Sequence, residues 1–154
     1  MIRLDIGTAE AEPGWTAVDR YAAAAVRADM AALPYPDGSV VSIRSSHALE
    51  HAGFREVSAV LAEWRRVLMR WGTLWVMVPT LDYCCEHWLT HEPDGDWSMQ
   101  LIFGSQDGPG QHHRSGFTAA SLRAALVAAG FEVRYVAPTW SHGQRCLVAE
   151  AFVA

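Results

Sequence analysis

The sequence predicts an α/β fold built on a mostly parallel sheet, with a final antiparallel strand and reduced helix cover on one face. Three observations carry that expectation. Short apolar runs recur through the first half of the chain and stop at Gly7, Asp19, Asp29 or Ser46-His47. Over residues 55–68 the period becomes helical: Val57, Val60, Leu61, Trp64 and Leu68 share one face while Glu56, Glu63 and Arg66 take the other. After Gly72, residues 73–78 form a continuous apolar run closed by Pro79, completing a strand-turn-helix-strand unit of the kind that builds parallel sheets.

The elements follow in order. Residues 2–6 and 15–18 read as strands, closed by Gly7 and Asp19 and separated by a small, acidic loop. Alanine propensity favours helix after Tyr21, but residues 25–28 run into Asp29 and a turn-rich stretch, so a short third strand is expected there. Residues 40–45 are β-branched enough for a fourth. Residues 80–117 lose periodicity and concentrate aromatic and His residues among glycines and acids, which predicts an irregular lid or insert. Thr118 can cap a helix whose Leu122, Ala125, Leu126 and Ala129 face inward, with Gly130 ending it. Residues 131–136 and 145–152 then form two strands joined through Pro138 and Gly143. No repeat or linker divides the chain, so residues 1–154 are expected to make a single domain.

Composition excludes several classes. With 51% apolar and 19% charged residues the chain is no disordered segment, and a net charge of −5 offers phosphate backbones no attraction. All 12 basic residues are arginine, which reads as codon bias. No apolar run reaches the length of a membrane span, and no signal for export is present. The 3 cysteines, Cys84, Cys85 and Cys146, have neither disulfide nor thiolate-metal spacing, which fits a reducing cytoplasm.

In an open parallel sheet a ligand settles beyond the carboxyl ends of the strands, where strand order reverses. The residues at those ends describe an adenosine pocket: Gly7 lets backbone approach a ligand, Asp19 suits a ribose diol, and Asp29 can accept from an adenine amine.

These parts resemble a class I S-adenosylmethionine-dependent methyltransferase of the small type 11 subgroup, and the likeness covers most of the chain. Leu4-Asp5-Ile6-Gly7 is similar to the family's first motif, and residues 13–19 to its second strand. Asp29 with Leu33-Pro34-Tyr35 resembles its Asp-x-x-x-Leu-Pro-Phe motif. His47-Ala48-Leu49-Glu50-His51, residues 65–72 and the stretch from Ser115-Gly116-Phe117-Thr118 to Phe131 resemble later segments, in the family's order. The resemblance implies a Rossmann-like sheet and S-adenosylmethionine as cofactor. It puts Asp5 and the Gly7 backbone at the methionyl end, Asp19 at the ribose, Asp29 and Met30 at the adenine, and His47 on the pocket wall. It implies methyl transfer to a small-molecule acceptor, or a binding module of the same fold without turnover.

Two departures matter. The family's loop reads Gly-x-Gly, whereas Ala9 here puts a methyl group where backbone should pass closest to the cofactor. The gap from Gly7 to Asp19 is too short for a helix, so one sheet face should lack cover and bury itself in a homodimer or against a partner protein. An acceptor that must lose a proton needs a base, for which His51 and His113 are the candidates. His47-x-x-Glu50-His51 also matches an inverted zinc-hydrolase motif, but that motif needs a helix through its middle, and here it follows a strand directly. His87 and His91 would pair on a metal only if helical, so no metal is expected. Tyr83, Trp88, Trp97 and Phe103 either line a substrate pocket or plug the end of the sheet, whereas Trp64 and Trp75 read as core.

Overall fold

A computed structural model describes residues 1–91 and 97–154. Its strands are β1 (Ile2–Ile6), β2 (Thr16–Asp19), β3 (Val26–Arg27), β4 (Val40–Ser46), β5 (Leu68–Pro79), β6 (Glu132–Ser141) and β7 (Gln144–Phe152). Its helices are α1 (Val57–Val67), α2 (Leu81–Thr90), α3 (Trp97–Phe103) and α4 (Ala119–Ala128). The strands form one 7-stranded sheet in the order β3-β2-β1-β4-β5-β7-β6. Neighbours from β3 to β5 pair in parallel, and β7 pairs antiparallel with both β5 and β6. Strand order reverses between β1 and β4, which fixes where a ligand crevice opens.

α1 forms as its period requires. Val57, Val60, Leu61, Trp64 and Val67 are buried, and the fully enclosed Trp64 indole donates to the Met30 carbonyl at 3.0 Å. Glu63 on the same helix accepts from the Leu33 amide at 2.7 Å and from two Arg66 nitrogens, tying the β3–β4 connection down. Arg66, beside Glu63, holds that carboxyl below its ordinary value of 4.5. α4 starts in a reciprocal capping box: the Thr118 hydroxyl accepts from the Ser121 amide at 3.1 Å, and the Ser121 hydroxyl from the Thr118 amide at 2.9 Å. Leu122 and Leu126 seat α4 beside α1.

Neither the β1–β2 nor the β2–β3 connection contains a helix, as the short spacings require. The uncovered face nonetheless differs from the apolar patch the sequence suggested. Register places Ala17, Asp5, Arg44, Trp75, Glu150 and Tyr135 in one row across the sheet. Arg44 binds Asp5 at 2.5 Å and Glu12 at 3.3 Å and lies 4.9 Å from the Trp15 ring, while Arg134 pairs with Glu150. Cross-strand ion pairs and stacked side chains thus shield a face that helices cover in doubly wound sheets. Trp75 belongs to this half-buried face and not, as expected, to the core.

Residues 80–117 are also more regular than the sequence suggested, because α2 and α3 occupy much of the segment. Tyr83 packs on Trp140 at 5.6 Å, under Arg145, so α2 braces the β6–β7 hairpin. Pro138 lies within β6 and the turn falls at His142-Gly143. No helix among the described residues is long and apolar enough to cross a membrane.

Candidate active site

A cleft of about 820 Å³ opens at the carboxyl ends of β1, β2, β3 and β4. Gly7, Asp19, Asp29, Met30, His47 and His51 all line it. At its base Gly7 adopts φ +88°, and its amide donates to the Val18 carbonyl at 2.8 Å. A Cβ there would lie closer than 3.0 Å to the Ala48 Cβ, so only glycine lets the two strand ends meet.

Two carboxylates are fixed by the turns that follow their strands. Asp19 Oδ1 accepts from the Tyr21 and Ala22 amides at 2.6 and 2.7 Å, and among the described residues Oδ2 takes no bond. Asp29 accepts from its own turn at Ala31 (2.9 Å) and from Arg20 Nη1 (2.6 Å). Each carboxylate keeps lone pairs for a ligand while its position is set by backbone.

Asp5 corrects the expectation. It does not line the cleft: Leu4 and Ile6 turn toward the covered face, so strand alternation sends Asp5 to the opposite one, where Arg44 holds it. Nor does Ala9 reach the cleft, because the Thr8 hydroxyl bonds the Glu10 carbonyl at 2.7 Å and the loop turns away after Gly7.

The far wall comes from Pro109, Gly110, Gln111, His112 and Arg114. Gly104, at φ +79°, lets that stretch fold back, since a Cβ there would strike the Gln111 carbonyl and crowd the His113 amide. The Arg114 and Ser115 amides donate to the Glu50 carbonyl at 2.8 and 3.1 Å, and the His113 amide to Phe103 at 3.0 Å. These bonds bring His113 beside His51, with ring centroids 5.2 Å apart. His51 Nδ1 lies 2.9 Å from the His112 carbonyl and His113 Nδ1 3.2 Å from the Leu101 carbonyl, so each ring donates through Nδ1 and keeps its Nε2 lone pair. Burial holds the His113 pKa below its ordinary 6.5, which keeps that ring neutral.

His47 sits at φ 52°, with Nδ1 3.4 Å from Glu50 Oε1 and Nε2 3.2 Å from Ser141 Oγ. Burial alone would lower its pKa; the Cys146 sulfur and the Glu50 carboxylate outweigh that and push it up to about 9. Leu49–His51 form one turn of 3-10 helix, so His47 and His51 share no helical face and the inverted zinc-hydrolase geometry is absent. The His87 and His91 rings stack in parallel, 4.0 Å apart, instead of converging on a common point.

Sequence reasoning missed Arg20, Tyr21, Glu56, Gln111 and Arg114 as wall residues. Their positions depend on contacts between distant segments, and only the adjacency of Arg20 and Tyr21 to Asp19 could have indicated them. Conversely, none of Tyr83, Trp88, Trp97 and Phe103 lines the cleft.

Comparison with known proteins agrees with this geometry. A family model described as a methyltransferase domain matches residues 2–76, the segment carrying every strand end of the cleft. No curated protein sequence matches the chain. A methyltransferase structure from Methanosarcina mazei superposes with a TM-score of 0.69 at 13% identity, covering 98% of this chain and 91% of that one. One from Haloferax volcanii, solved in complex with a methyltransferase activator, gives 0.69 at 15%, covering 99% and 82%. The 1,6-didemethyltoxoflavin-N1-methyltransferase of Burkholderia thailandensis, with 1,6-didemethyltoxoflavin and S-adenosylhomocysteine bound, gives 0.67 at 16%, covering 99% and 71%. The strand order, the post-strand carboxylates and the match over residues 2–76 agree: that part of the chain is similar to a methyltransferase domain, and the whole chain has the fold of S-adenosylmethionine-dependent methyltransferases.

Proposed function

We propose that the chain transfers a methyl group from S-adenosylmethionine to a small-molecule acceptor. One observation carries this: Gly7, Asp19, Asp29-Met30 and His51 converge on one cleft at the point where strand order reverses. About 820 Å³ is the volume of a small-molecule site, enough for a nucleoside cofactor and a modest acceptor. The relative from Burkholderia thailandensis is named for a small acceptor, which supports the same class here.

Each residue then has a role. Asp19 Oδ2 accepts from the ribose hydroxyls, Asp29 and Met30 bracket the adenine, and the Gly7 backbone passes the methionyl chain toward His47 and His51. The cofactor supplies the driving force as its sulfonium methyl is displaced in line. The protein aligns donor and acceptor, which is worth roughly 7–11 kcal/mol in favourable cases. His51 presents its free Nε2 to the acceptor end of the cleft, and His113 stands behind it.

A second reading, a cofactor-fold binding module without turnover, draws support from Asp5 being taken up by Arg44 and from the loop leaving the cleft after Gly7. Incubation with methyl-labelled S-adenosylmethionine and a small-molecule extract separates the two. Label in the small-molecule fraction, with stoichiometric S-adenosylhomocysteine, supports transfer; cofactor binding with no labelled product supports the module. The half-exposed Trp15 and Trp75 on the bare face further support a second copy of the chain packing there. Light scattering should then give about twice 17.0 kDa, and a monomer that binds no apolar dye contradicts it. The free thiols of Cys84, Cys85 and Cys146 fit a reducing, cytoplasmic setting.

A further inference from the structure

Glu50 is the most anomalous polar group in the described structure. Its side chain is 2% exposed, and neither carboxylate oxygen accepts a hydrogen bond. Burying a carboxylate without donors costs several kcal/mol, so such a group is either neutralised or matched by a positive charge. His47 Nδ1 reaches Oε1 at 3.4 Å, a loose ion pair that leaves both carboxylate oxygens without a hydrogen bond among the described residues, while His47 Nε2 faces Ser141 and Cys146.

Potential ligand atoms of Glu50, His51 and His113 lie within 4.8 Å of one another. Both histidines donate Nδ1–H to a backbone carbonyl, the arrangement that fixes a metal-binding imidazole with its Nε2 lone pair outward. Two imidazoles and one carboxylate, two of them adjacent in the 3-10 turn and the third from the returning stretch, with His51 on the cleft wall, form the donor set of a catalytic-type transition-metal centre; hard-oxygen cations such as Mg²⁺ favour all-oxygen sites. Ligands on one tetrahedral Zn²⁺ stand roughly 3.4 Å apart, so side-chain movement of about an ångström closes the set.

We propose that Glu50, His51 and His113 bind one divalent transition-metal cation at the acceptor end of the cleft, and that the acceptor is a hydroxyl compound whose oxygen occupies the open coordination position. The proposal rests on the methyl-transfer reading and specifies how the two histidines act: through the cation and not as free bases. A hydroxyl follows from the chemistry. An amine would spend its nucleophilic lone pair on the metal, whereas a coordinated hydroxyl becomes more acidic and keeps lone pairs for attack. The hydroxyl proton leaves to solvent, an O–CH₃ bond forms, the S–CH₃ bond breaks with its electron pair going to sulfur, and the cation stays divalent throughout.

The test uses full-length protein purified without a His tag, stripped with chelator and titrated with Zn²⁺ and Co²⁺. One equivalent should bind, Co²⁺ should give a visible ligand-field spectrum, and thermal stability should rise with metal. Glu50→Gln and His113→Ala should each weaken binding by about 100-fold or more and abolish that rise. Glu50→Gln also loses the 3.4 Å contact with His47, so each variant's metal-dependent rise is read against its own metal-free baseline; a Glu50→Gln protein that keeps the full rise would mark Glu50 as purely structural. No stoichiometric binding at millimolar metal, or binding unchanged in both variants, overturns the proposal. Titration of the same protein with S-adenosylhomocysteine distinguishes the failures. Cofactor binding without metal binding refutes this inference alone, and metal binding without cofactor binding refutes the methyl-transfer reading.

Discussion

Gly7→Ala is the sharpest perturbation of the cleft. The residue sits at φ +88°, where an L side chain costs about 1–2 kcal/mol, and its new methyl would come closer than 3.0 Å to the Ala48 Cβ. Overpacking of that kind adds roughly 1–3 kcal/mol, so the variant should lose about 2–5 kcal/mol in urea unfolding with an unchanged m-value. The two contributions separate in a double-mutant cycle. Ala48→Gly removes the colliding methyl but leaves the left-handed backbone, so Gly7→Ala/Ala48→Gly should recover the packing share, a favourable coupling of roughly 1–3 kcal/mol, and no more. Because Ala48 also lines the cleft, the single variant should bind S-adenosylhomocysteine poorly. A Gly7→Ala protein as stable as wild type, or a cycle with no coupling, would refute the account of how β1 and β4 meet.

Three further outcomes follow from other contacts. Glu63→Gln should cost about 1.5–3 kcal/mol at pH 7, because its carboxylate accepts from Arg66 and the Leu33 amide. Its folded pKa lies below the ordinary 4.5, so its contribution is present above that pH and fades as pH falls through the folded value; wild type and variant should converge in acid urea titrations. Thr118→Ala should lose about 1 kcal/mol of thermal stability by opening the capping box, while leaving cofactor affinity unchanged, since Thr118 is not on the cleft. Exchanging label-free chain for Trp75→Ala in light scattering should lower the dimer fraction if the bare face is the interface; an unchanged mass distribution would exclude it.

Local sequence made some elements plain and others opaque for physical reasons. Residues 57–67 were legible because one apolar stripe meets the core, and Thr118 because a cap acts within its own turn. α2 escaped notice because it buries only Cys84 and His87, too few apolar positions to set a helical period. Asp19, Asp29 and His47 were legible as strand-end residues, since topology alone carries those positions to the crevice. The facing of Asp5 was in principle readable: Leu4 and Ile6 point inward, so the residue between them points away. Glu50 was not. Its burial depends on the stretch from His113 to Ser115 folding back across the strand end, a pairing about 65 residues away that no local pattern encodes.

Calorimetric titration with S-adenosylhomocysteine, on wild type and on Asp19→Asn, tests the central claim most directly. The variant keeps a carbonyl oxygen for the Tyr21 and Ala22 amides but loses the charge offered to the ribose. Wild type should bind one equivalent saturably, and Asp19→Asn should bind about 10-fold or more weakly, a difference of roughly 1.4 kcal/mol or greater. Absence of heat at millimolar ligand, or equal affinity in the two proteins, would contradict an adenosyl site built on the ends of β1, β2 and β3.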